Sequence, residues 1–114
     1  MLTEYPKDFP AYPLSIIIQR LRGEQVDNAL AIRAAWTVCG YACSLVAPEE
    51  RPRIIGFEFS QPLSEGNLNE LDLLNLLLTT KGDAVLSQGL NWALIAKLAT
   101  RLFMLFLLEK NTNA

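Results

Sequence analysis

Apolar and polar positions change their spacing several times along the chain, and each change marks an element. Pro6, Pro10 and Pro13 are interleaved with Tyr5, Phe9 and Tyr12. Proline fixes φ and discourages helix at the residue before it, so residues 1–12 are expected as an extended lead-in lying on the domain. Leu14, Ile16, Ile17, Ile18 and Leu21 then predict a first helix opening near Pro13 and stopping at Gly23. From Glu24 to Val46 the pattern predicts one long second helix. Its stripe is Val26, Leu30, Ala34, Val38 and Ala42, widened by Ala29, Ile32, Trp36, Cys39 and Cys43. Pro48 ends it, and Glu49-Glu50-Arg51-Pro52-Arg53 is expected as a charged surface loop.

The period changes at Ile54. Ile55, Phe57 and Phe59 alternate with Gly56 and Glu58, the two-residue repeat of a half-buried strand, so an extended or β segment is expected over about 54–60. No second strand in the sequence offers to pair with it. Asn67-x-x-Glu70 has the form of a capping box and predicts a third helix through Leu71, Leu74 and Leu77 to about Thr80, with Gly82 at its end. Asp83 is the expected N-cap of a last helix, Ala84 to about Lys110. Along it Leu86, Leu90, Leu94, Leu98 and Leu102 recur every fourth residue. Each such step advances about 40° around a helix of 3.6 residues per turn, so the stripe winds round the helix and outgrows any single neighbour. The architecture predicted is mostly α: a four-helix bundle-like single domain over residues 1–114, with the extended segment between the second and third helices.

Composition narrows the function. Of 114 residues, 51% are hydrophobic and 19% charged, with 10 Lys and Arg against 12 Asp and Glu, a net charge of −2 and no histidine. Disorder and broad phosphate-coating charge are excluded. So is all chemistry that rests on imidazole. Cys39-x-x-x-Cys43 lies mid-helix without the further ligands a zinc site needs, so both cysteines are expected as reduced, small apolar residues. The N-terminal residues show neither the basic flank nor the apolar run of a secretory signal, and the expected location is the cytoplasm. The stretch Leu90–Leu108 has membrane-spanning length, but Lys97 and Arg101 near its middle would each cost about 2.5–3.5 kcal/mol in a bilayer, so no membrane is expected.

No glycine-rich phosphate loop, nucleophile elbow or metal motif occurs, and neither cofactor nor metal is expected. Glu49, Glu50, Glu58 and Glu65 cluster around the loop and strand region, but acid–base work needs two of them converging in a cleft, and a solvated surface is the better account of them. The chain is therefore expected not to be an enzyme. Its apolar surplus points to a non-enzymatic assembly or interaction subunit, self-associating or built into a larger complex. The expected contact residues are Leu90, Leu94, Leu98, Leu102 and Phe106 on the last helix, with Ile55, Phe57 and Phe59 from the strand; the partner is another protein or a second copy. The alternative is a helical subunit of a nucleoprotein complex, in which Arg20, Arg22, Arg51, Arg53, Lys97 and Arg101 meet a nucleic-acid backbone.

Overall fold

The computed structural model describes residues 9–55, 59–83 and 90–112, and what it describes is a helical domain. α1 spans Ala11–Leu21 and α2 Asn28–Ser44; a 3-10 turn at Pro48–Glu50 leads into a short α3, Arg51–Ile55; α4 spans Glu70–Thr80 and α5 Trp92–Thr112.

Each boundary has a local cause. Pro10 precedes α1 and Pro13 sits in its first turn, where a missing N–H costs nothing. At the other end Gly23 takes φ +86°, and Glu24 N–H reaches back to the Gln19 carbonyl at 3.0 Å, which satisfies carbonyls the helix leaves open. The next helix starts at Asn28, not Glu24, because Asp27 is the residue whose carboxylate accepts from the Leu30 N–H, at 3.2 Å. The capping box that opens α4 is Asn69 with Asp72, two residues beyond the expected pair: Asn69 Oδ1 accepts from Asp72 N–H at 2.9 Å and Asp72 Oδ2 from Asn69 N–H at 3.3 Å. Asn67 is instead held in a tight turn closed by the Glu65–Leu68 bridge, and Glu70 is used elsewhere.

Three further expectations are corrected. The alternation over 54–60 does not produce a strand among the described residues. Ile54 and Ile55 close α3, Phe59 and Ser60 lie in a turn, and 56–58 fall outside the described residues. A lone strand leaves its backbone groups without partners, whereas a helical turn pairs them locally and Pro48 and Pro52 already hold helix-compatible φ. The same prolines turn the expected loop at 49–53 helical. The last helix is also not continuous from Ala84: Leu90 and Asn91 are non-helical, and Asn91 Oδ1 caps α5 by accepting from Leu94 N–H at 2.8 Å. Residues 84–89 lie outside the described residues, as does the lead-in up to Asp8.

Contacts between helix ends set the relative directions of the helices. Arg20, near the end of α1, bonds Asn28 at the start of α2 (2.8 Å), while Phe9, ahead of α1, meets the Tyr41 ring near the end of α2 edge-on at 5.6 Å. α5 is antiparallel to α2: Asn28 Nδ2 donates to the Phe106 carbonyl at 3.2 Å, Cys39 meets Thr100, and the Tyr41 and Trp92 rings lie 5.6 Å apart. α4 begins beside Arg101 and ends with Gly82 against Phe9 and Trp92, so it opposes both α1 and α5. Both α2 and α4 therefore run the same way, and the chain between them must return the length of α2, about 25 Å at 1.5 Å per residue. Residues 45–69 make that return, with α3 laid on α5 and Ile54 buried there.

Leu14, Ile17, Val38, Leu73, Leu74, Ile95, Leu98 and Leu102 form the enclosed core. Arg101, 8% exposed, stands among them; its guanidinium meets Glu70 Oε1 at 2.7 Å, and Glu70 Oε2 accepts the Leu63 N–H at 3.2 Å. One carboxylate thus joins α4, α5 and the return segment. Removing a single partner of a buried pair strands the other charge, whereas replacing both restores an apolar contact. Glu70→Leu alone is expected to lower the unfolding free energy by about 3–5 kcal/mol. The joint change Glu70→Leu, Arg101→Met should recover most of that loss. Urea unfolding of the three proteins measures it, and equal losses in single and double variants would remove the stranded charge as the cause.

Candidate interaction face

The residues expected to form an interface on the last helix are mostly spent on the fold itself. Leu90, Leu98, Leu102 and Phe106 are buried in the core, and Leu94 is half-buried against it. A helix that packs along α2, carries α3, and meets α4 at Glu70 and Gly82 needs apolar residues on several sides, which is what the winding leucine stripe supplies. Phe59 is half-buried in its turn, Ile55 lies at the end of α3, and Phe57 is outside the described residues.

The basic residues do not gather. Arg20 is held by Asn28 and by an ion pair with Glu109, and its guanidinium carbon lies 4.7 Å from the Phe106 ring centroid. Arg101 is committed to Glu70. Arg22 is exposed beyond α1, beside the start of α2, whereas Arg51 and Arg53 are exposed beyond the end of α2. About 25 Å of helix separates those two groups. Lys97 is half-buried on α5. Among the carboxylates, Glu49, Glu50 and Glu65 are exposed, and Glu58 is outside the described residues.

What the structure does leave open lies on α2. Its core side is almost entirely small: Ala31, Ala34, Ala35, Val38 and Ala42. Its outer side, Ala29, Arg33, Trp36, Thr37, Gly40 and Ser44, is exposed at the three- and four-residue spacing of one helix face. Trp36 is 64% exposed and leans on Phe103 of α5, with ring centroids 5.2 Å apart and planes tilted by 47°. Across α2 from it, a groove of about 220 Å³ runs between α1 and α2, lined by Tyr12, Ile16, Leu30, Arg33 and Thr37 among others. Tyr12 is 65% exposed at the groove's edge. On α5 the apolar surface continues past Phe103 through the half-buried Met104 and Leu107 to the exposed Leu108.

The sequence pattern assigned Trp36 to the buried stripe of α2, because it sits four residues from Ile32 and three from Cys39. Its companions on the other side carry the contrary signal. Arg33, Thr37 and Gly40 flank it at the spacings of the same face, and none of them suits a core.

Cys39 and Cys43 line the side of α2 turned toward α5, half-buried and not enclosed as expected. Their sulfurs are 4.0 Å apart, and Cys39 Sγ lies 3.1 Å from Thr100 Oγ1. Burial, the neighbouring Cys39 charge and the Cys39 hydrogen bond together push the Cys43 thiol up to about 11, against the opposing pull of Arg51. No protein-family model matches the chain, and comparison with curated proteins and with solved structures likewise finds no match.

A raised thiol pKa means the folded state holds its proton where the unfolded chain has released it. The Cys43 contribution to stability is therefore complete below about 9 and lost as pH rises toward about 11. Folded protein at pH 8 is expected to react with iodoacetamide at Cys43 much more slowly than urea-unfolded protein. Peptide mapping after timed alkylation checks this, and equal rates would contradict it.

Proposed function

We propose that the chain is a non-catalytic helical interaction domain that docks another protein through the outer face of α2, with Trp36 as its anchor, in the reducing setting of the cytoplasm. The observation that carries this reading is the Trp36 side chain, 64% exposed yet resting against the tilted Phe103 ring. Tryptophan is the residue type most enriched among the few side chains that dominate binding energy at interfaces. A pre-positioned indole loses little conformational freedom on binding. Tyr12 and the α1–α2 groove supply apolar surface on one side of α2, and Phe103 to Leu108 on the other. Free Cys39 and Cys43 suit a reducing compartment.

The contact surface in this reading is α2 and not the leucine-rich α5, whose winding stripe serves the core. The nucleic-acid alternative loses two of its six cations to Glu109 and Glu70; Arg22 lies at one end of α2, Arg51 and Arg53 at the other, and Lys97 is half-buried on α5.

The test is a truncation at the exposed ring. In a complex isolated with the wild-type chain, Trp36→Ala is expected to weaken binding by about 30-fold or more, the loss a dominant interface residue causes. Its thermal unfolding should change little, because the ring contributes mainly surface. Arg22→Ala, exposed at the end of α1, should leave the complex intact. Retention of the partner by Trp36→Ala would remove α2 from the contact.

A further inference from the structure

We propose that the α2 face receives an acidic amphipathic helix of a partner protein, seated with its apolar side on Trp36, Phe103 and the Tyr12–Leu30 groove and with a carboxylate on the Arg33 guanidinium. This rests on the reading of α2 as the docking face and names the chemistry of what docks there.

Charge selects the partner. α2 carries no Asp or Glu from Asn28 to Ser44, and Arg33 is its one charged residue. Arg33 is exposed, and no carboxylate among the described residues forms an ion pair with it, whereas Arg20 and Arg101 each have one. Beyond the end of α2 the exposed Arg51 and Arg53 stand beside the exposed Glu49 and Glu50, so the charge that marks this face is that of Arg33. On α5, Glu109 is engaged by Arg20 and the neighbouring surface of Met104, Leu107 and Leu108 is uncharged. An apolar strip with a free guanidinium beside it is complementary to a helix with leucines on one side and carboxylates at its border.

The same observations argue against a second copy. A twofold contact sets a patch against itself, so Arg33 would face the other copy's uncompensated cationic helix with no carboxylate to meet it. Shape agrees with a helix as occupant. The groove beside Tyr12 and the Trp36–Phe103 ridge lie on opposite sides of α2. A helix laid along the outer face of α2 would rest between them.

The experiment uses the full chain and two fluorescein-labelled 18-residue helical peptides of identical leucine pattern, one with glutamates and one with lysines on its polar side. Anisotropy titrations at low salt should show the acidic peptide binding at least tenfold tighter than the basic one. Arg33→Glu should abolish or reverse that preference, with Arg33→Gln as the milder variant should the first fail to fold by circular dichroism. Trp36→Ala should weaken both peptides.

Equal binding of the two peptides, both sensitive to Trp36→Ala, would overturn the acidic partner and leave the docking face standing. A dimer in light scattering that Trp36→Ala dissociates would do the same, with a second copy as occupant. Binding that ignores Trp36→Ala, or no binding of either peptide, would overturn the proposal and the docking face together. Affinity for phosphatidylglycerol vesicles without affinity for the acidic peptide would also overturn it.

Discussion

Because Ala31, Ala35 and Ala42 offer nothing beyond Cβ, α2 packs over a broad length on α5, where Ala96 and Ala99 are equally small, and the other helices are arranged about that pair. Small residues at a helix contact bring backbones near, and they leave each helix little apolar bulk to bury elsewhere. The large side chains then come from the flanks: Leu14 and Ile17 from α1, Leu73 and Leu74 from α4, and Ile95, Leu98 and Leu102 from α5 itself. Trp36 is displaced outward by the same geometry. It sits beyond the edge of the alanine seam, against the Phe103 ring.

The Arg101–Glu70 pair is the second constraint, and it explains why the most apolar helix carries a cation in its middle. Without it, the first turn of α4 and the return segment from α2 would meet α5 through leucines alone, a contact with little to fix its register. The carboxylate is satisfied on one oxygen by Arg101 and on the other by the Leu63 N–H, so its two bonds tie three parts of the chain at one point. Taking both charges out of water is costly, and such a pair is better understood as choosing one arrangement than as adding stability. No helix among the described residues is long and apolar enough to cross a membrane.

Much of this was legible from residue order. Helical periods marked α1, α2, α4 and α5, and Gly23 and Gly82 ended α1 and α4 as their positions suggested; at Gly82 a Cβ would press on Phe9 at 3.4 Å and on Trp92 at 3.6 Å. The misreadings share a physical origin. Glu70 fits a capping box in sequence, but Arg101, far along the chain, claims its carboxylate and the cap moves to Asn69 and Asp72. The alternation from Ile54 satisfies a strand's side-chain rule while ignoring its backbone, which needs a partner strand that the sequence does not offer. Periodicity reports which residues want burial and is silent on which neighbour buries them.

That silence accounts for the largest displacement, from α5 to α2, of the surface that reads as a docking site. A helix apolar on nearly every side looks like an interface when considered alone, because one neighbour cannot cover it. Where α2 covers one side along its length and α3 lies on another, the same pattern is what the fold itself requires. The exposed residue that stands out then lies on α2, where an aromatic ring among Arg33, Thr37 and Gly40 leans on Phe103 and is 64% exposed. Total hydrophobicity marks where the core is. A single large side chain out of keeping with its own helix face is the feature on which the proposed docking surface rests.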